Sequence, residues 1–180
     1  MLVNPWHDLE SGAEPPHRLN VVIEIPRGSR NKYELDKQTG MFRLDRLLYS
    51  AVHYPGDYGF IPRTYAGDDD PLDVLIMTTV PTFTGCLIEA RPIGVFVMHD
   101  REQTDEKVLA VPLRDPLYAE YRDLADVAPH FLREVEHFFA IYKDLEGMKA
   151  KTLGWSGRDV AHTVIRDACT RYLDTYGPKP

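Results

Sequence analysis

The chain has 180 residues, 43% hydrophobic and 27% charged, which suits one globular domain whose core needs no disulfide staples. Its 28 acidic and 21 basic residues leave a formal charge of −7, the wrong sign for a protein that must displace counterions from nucleic acid. No apolar run reaches the roughly 18 residues of a membrane-spanning helix, so a membrane-embedded protein is excluded.

The segment from Met1 to Pro16 is polar, has no basic start and no apolar stretch, and reads as a surface tail rather than a secretory signal. Residues 1–180 are read as a single domain. Val21 to Ile25 is a short β-branched run stopped by Pro26, and Arg27 to Asn31 reads as a loop. Lys32 to Asp36 alternates polar with apolar, and the turn at Gln38-Thr39-Gly40 leads into Met41 to Arg46, which predicts a hairpin. Further strands are expected at Asp73–Met77, within Gly85–Met98 and at Lys107–Val111, the last two joined by a charged tip from His99 to Glu106. Short strands at this spacing favour a small closed barrel over a doubly wound sheet.

The last third reads as helical. Leu132, Val135, Phe138 or Phe139, Tyr142 and Leu145 recur every three or four residues after Pro129, and Gly147 offers a stop. A second helix is expected from Ser156, with Asp159 completing a loose capping box and Ala161, Ile165, Ala168 and Tyr172 forming its stripe. Cys86 and Cys169 stand far apart and outside any C-x-x-C arrangement, which suits two reduced thiols in the cytoplasm.

The chemistry concentrates in Gly67-Asp68-Asp69-Asp70-Pro71-Leu72-Asp73. Carboxylates this close repel one another unless a cation neutralises them. Pro71 bends the chain after Asp70, which allows Asp68, Asp70 and Asp73 to converge. Oxygen ligands without a Cys or His partner favour a hard ion such as Mg²⁺. A solvated acidic turn would have the same composition, so the segment alone is weak evidence.

Asp100 and Asp105 add a second acidic segment at the expected hairpin tip, with Lys107 on the same face as Asp105. A polar tip explains them equally well in isolation. Lys32 and Glu34 share a strand face, Arg46 closes the neighbouring strand, and Tyr142-Lys143 lies on the long helix. Glu24, in an apolar run, is either the outward residue of an edge strand or a charge with a purpose. The seven histidines form no H-x-H or H-E-x-x-H, and the phosphate loops G-x-x-x-x-G-K-[ST] and G-x-G-x-x-G are absent.

At this point the sequence closely resembles the soluble family I inorganic pyrophosphatases, of bacterial and archaeal type. Asp68-Asp69-Asp70-Pro71-Leu72-Asp73-Val74 is similar to the family signature D-x-D-P-x-D-[VL]. In order along the chain, Val22-Ile23-Glu24-Ile25-Pro26, Lys32-Tyr33-Glu34, Asp45-Arg46, Tyr54-Pro55, Tyr58-Gly59, Arg91-Pro92-Ile93-Gly94, Ala110-Val111-Pro112 and Tyr142-Lys143-Asp144-Leu145-Glu146 match as well. The match runs from about His17 to about Trp155.

The resemblance implies an α+β, mainly β fold, an OB-like five-stranded closed barrel flanked by two main C-terminal helices. It implies Mg²⁺-dependent hydrolysis of pyrophosphate to two phosphates, with Mn²⁺ or Zn²⁺ as substitutes. Asp68, Asp70, Asp73, Asp100 and Asp105 would hold the metal ions, with Glu24 and Glu34 acting mainly through metal-bound waters. Lys32, Arg46, Lys107, Tyr142 and Lys143 would hold the phosphates, Tyr58 would hydrogen-bond near Asp70, and Asp70 would accept the proton of the attacking water. A homohexamer is the expected assembly, although Ile141 replaces a His that some bacterial members place at the trimer contact. Asp57 stands where the family usually has Asn, an extra acid expected beside the site, and Arg101 where many members have an acid. Two other readings remain open on sequence: a metal-dependent phosphomonoesterase or nucleotidase, and a non-enzymatic OB-type module binding single-stranded nucleic acid.

Overall fold

The structure is a computed structural model that describes residues 3–100 and 103–178, the side chain of Asp100 excepted. Five strands form a ring in which each pairs with two neighbours: β1 (Leu19–Ile25), β4 (Asp57–Phe60), β5 (Asp73–Ile76), β7 (Gln103–Pro112) and β6 (Leu87–Asp100), the last pairing back onto β1. All these pairings are antiparallel except β5 with β7. β8 (Ala150–Gly157) adds to the second edge of β6. β2 (Asn31–Leu35) and β3 (Phe42–Leu47) form the separate hairpin that the alternation and turn predict.

The period of two along the ring strands feeds two cores. Val74 and Ile76 of β5, with Val108 and Ala110 of β7, join Val164, Ile165 and Ala168 of α3 (Arg158–Tyr176). Their neighbours Leu75, Leu109 and Val111 turn the other way, onto Val135, Phe138 and Phe139 of α2 (Pro129–Ile141). Two helices therefore cover two sides of one ring. The strand contacts are tight at Gly59, where an added Cβ would lie 1.9 Å from the Val22 carbonyl oxygen, so β1 and β4 can approach only because this residue has no side chain.

Both helices differ from the sequence expectation at an end. α2 stops at Ile141, and a 3-10 turn over Asp144–Glu146 closes on Gly147 at φ 75°. Leu145 is consequently exposed instead of completing the stripe. α3 begins at Arg158, because Ser156 and Gly157 are still paired with Val95 and Gly94 of β6 and the Ser156 side chain makes no cap. The expected stripe Ala161, Ile165, Ala168 and Tyr172 is buried.

The N-terminal tail is pinned rather than loose. A one-turn helix, α1 (Pro5–Asp8), is capped by Asn4 and inserts Trp6, 2% exposed, against Val22, Phe60 and Tyr172. Its indole Nε1 donates to the Thr64 carbonyl at 2.8 Å. Among the described residues no helix is long and apolar enough to cross a membrane.

Candidate active site

One cavity of about 580 Å³ opens between the ring, the β2–β3 hairpin and the end of α2. Eleven of the predicted site residues line it: Glu24, Lys32, Glu34, Tyr58, Asp68, Asp70, Asp73, Asp105, Lys107, Tyr142 and Lys143.

Each arrives there for a local reason. The β1–β4 register shifts between Ile23 and Ile25, so Glu24 sits at a bulge, a device that re-aims a side chain. β1 is paired on both sides, which removes the edge-strand reading of Glu24. Its Oε1 accepts from the Leu35 amide at 2.8 Å, and burial pushes its pKa to about 8. The parallel register puts Asp73 opposite Lys107, and alternation along β7 puts Asp105 beside both. The early end of α2 leaves Tyr142 and Lys143 at the cavity wall, with the Lys143 ammonium 5.2 Å from the Tyr142 ring centroid.

The floor is a hydrogen-bonded cluster around Lys107. Its Nζ lies 2.8 Å from Asp73 Oδ2, 2.8 and 2.9 Å from the Asp105 oxygens and 2.8 Å from the Tyr58 hydroxyl. Burial alone would discharge this ammonium, yet Asp105 and Asp73 hold its pKa well above the ordinary lysine value. Lys107 thus pairs directly with the Asp105 that shares its strand face. The Tyr58 hydroxyl donates to Asp73, and burial followed by the charge of Asp73 pushes its pKa well above 10. Tyr58 therefore bonds Asp73, in the aspartate segment that also carries Asp70, and Lys107.

The rim is the aspartate turn. Asp69 takes φ 67°, the Asp70 amide donates to Asp68 Oδ1 at 3.3 Å, and the Asp70 carboxylate meets the Lys37 ammonium. Burial first, then the charges of Asp73, Asp70 and Asp105, push the Asp68 pKa to about 6. Lys32 forms an ion pair with Glu34 on the same strand face.

Two expectations take a different form. Arg46 lies outside the cavity lining, with its Nη1 2.5 Å from Asp45 Oδ2 and its Nε 3.0 Å from Glu146 Oε2. Asp57 is fully buried and away from the cavity: it accepts from the Arg27 amide at 2.7 Å and from the Thr82 amide and hydroxyl at 2.9 and 2.6 Å. It ties two loops together instead of adding an acid to the site. The Asp100 side chain and Arg101 lie outside the described residues. Lys37, Arg43 and Tyr54 line the cavity and were not singled out by the sequence reasoning as site residues. Lys37 sits at the hairpin turn, where no periodicity marks it.

Among the described residues no three acidic, His or Cys side chains converge as a ready cation cage. Lysines stand where ligands would meet: Lys107 between Asp73 and Asp105, Lys32 against Glu34, Lys37 against Asp70. The donor set nevertheless fits a hard divalent ion. It is all oxygen, and burial first, then neighbouring acids, raises the pKa of Glu24 and Asp68, a cost that a bound cation would relieve.

Comparison with known proteins places the chain in a family. The inorganic pyrophosphatase family model matches residues 21–173. The inorganic pyrophosphatase of Haloferax volcanii is 46% identical over 176 residues, 97% of this chain and 99% of the relative. That of Methanosarcina acetivorans is 49% identical over 86% of this chain and 92% of its own length. The crystal structure of the Thermus thermophilus inorganic pyrophosphatase superposes with a TM-score of 0.91 at 41% identity, covering 94% of this chain and 99% of that one. The chain belongs to the inorganic pyrophosphatase family. Its activity is that of an inorganic diphosphatase, a hydrolase, and the phosphomonoesterase and nucleic-acid readings fall away.

Proposed function

We propose that this chain hydrolyses pyrophosphate to two phosphates with Mg²⁺ as its working ion, and that Asp70 accepts the proton of the attacking water. The observation that carries the reading is the cavity itself, lined by seven carboxylates and four lysines within a family of pyrophosphate hydrolases. Asp68, Asp70, Asp73, Asp105, Glu24 and Glu34, with Asp100 at the end of β6, would hold the ions. Magnesium bound there would neutralise substrate charge and acidify the attacking water.

The chain's own groups do the rest. Asp70 is exposed and next to the bend at Pro71, so its carboxylate can reach a water at the rim. Lys107, Lys32, Lys143 and Tyr142 present positive charge and a hydroxyl to the phosphates as charge gathers on the leaving group. Arg46 joins them by turning from Asp45 and Glu146. Tyr58, kept protonated, donates to Asp73 and accepts from the Lys107 ammonium, which fixes both.

The test is phosphate release from pyrophosphate, ATP and p-nitrophenyl phosphate. EDTA should abolish turnover of pyrophosphate and Mg²⁺ restore it, with the other two substrates slow. Full activity in metal-free buffer would overturn the mechanism, and preference for a monoester would overturn the substrate. The reading extends to a cytoplasmic homohexamer. Supporting it are the free thiols Cys86 and Cys169 and the exposed His130 and His137 on α2. Light scattering should give a mass well above 20.6 kDa.

A further inference from the structure

Lys37 is held at several points. Its Nζ pairs with the Asp70 carboxylate, donates to the Asp69 carbonyl at 3.0 Å and stands 5.1 Å from the centroid of the Trp6 ring. Its own carbonyl accepts from the Asn4 side chain at 3.2 Å. An isolated ion pair with side chains 44% and 53% exposed would be a weak and wandering contact. The indole face beneath the ammonium and the Asn4 anchor behind it restrict where it can go.

The other end of the arrangement is equally fixed. Asp69 is left-handed, a conformation a non-glycine residue keeps only when its surroundings hold it. Lys37 bonds its carbonyl and the Tyr65 hydroxyl bonds its carboxylate at 2.6 Å. Trp6 reaches the same loop through Thr64, whose hydroxyl accepts from the Leu72 amide at 2.9 Å. The N-terminal segment thus grips both sides of the aspartate turn.

We propose that Lys37 is a positioning residue for Asp70, seated by Trp6 and Asn4, so that the N-terminal segment is part of the catalytic apparatus. This rests on the assignment of Asp70 as proton acceptor. Lys37 does not touch the reacting atoms in this scheme. It sets the angle and position from which the carboxylate meets the water, and misplacement by an ångström can cost as much as a hundredfold.

The experiment is a double-mutant cycle read by steady-state kinetics at saturating Mg²⁺. Lys37→Met should lower kcat by about tenfold to a hundredfold with KM nearly unchanged, and Lys37→Arg should recover most of the loss. Trp6→Phe, which keeps an aromatic face but loses the bond to Thr64, should lower kcat in the same sense and less. In an Asp70→Asn background Lys37→Met should cost nothing further, because the group it positions is gone. A Lys37→Met enzyme that loses KM instead, or whose defect adds in full to that of Asp70→Asn, would overturn the proposal and mark Lys37 as a substrate contact. If Asp70→Asn is itself near normal, it is the assignment of the base that fails. Circular dichroism of each variant checks that the fold is retained.

Discussion

At the floor of the cavity Lys107 is 4% exposed and bonded to Asp73, Asp105 and Tyr58, whereas at the rim Lys37 and Asp70 meet with about half of each side chain in water. The same chemical pair has different consequences in the two places. Water and salt weaken the rim pair as a source of stability, and its geometry is held by the Trp6 face and the Asn4 anchor behind Lys37. In the floor, losing one partner in the metal-free protein leaves charges buried and uncompensated. The floor pairs contribute to stability, and the rim pair acts on the placing of one carboxylate.

The sharpest way to break this division is at the base. Asp70→Asn should reduce turnover by roughly two to four orders of magnitude, the range for losing a general base, while the urea midpoint stays where it was. A variant that loses stability along with activity would show that the rim is structural after all. At the floor the expectation reverses. Lys107→Met should lose about 3–5 kcal/mol of stability in metal-free buffer, measured by urea unfolding, because Asp73 and Asp105 are left facing each other.

A smaller effect is expected from pH. Glu24 and Asp68 have folded pKa values near 8 and 6, above the ordinary carboxylate range. The folded chain therefore binds more protons than the unfolded one between that range and pH 8. In EDTA its melting temperature should fall as pH rises through this window, and Glu24→Gln should flatten the slope. A melting temperature that rises across the same window would contradict the raised pKa values of these buried acids. Smallest of all is Asp69→Asn: asparagine tolerates the left-handed backbone and keeps an oxygen for Tyr65, so turnover should stay within about twofold.

Much of this was legible in the sequence because the relevant signals are local. The aspartate turn, the β2–β3 hairpin and the buried stripe of α3 follow from composition and period over a few residues. β8 did not, since Gly154 and Gly157 break its pattern and it exists by pairing with β6. β4 is buried throughout, Asp57 included, so no alternation marks it. Trp6 sits in a four-residue helix, too short to show any period. The partners of Arg46 and Tyr58, Glu146 in the turn after α2 and Asp73 on the neighbouring strand, are set by packing between elements, which no local pattern reports.

The parallel pairing of β5 with β7 has a bearing on how the chain reaches its working form. Asp73 and Lys107 are 34 positions apart, and β6 crosses back through the ring between them. A contact of that separation must await loop closure, whose entropy is lost before any bond rewards it. The floor cluster is therefore a late product of folding. On refolding from urea, the helical signal of α2 and α3 should return ahead of catalytic competence, since the enzyme cannot assemble its lysine floor until the last strand of the ring has docked.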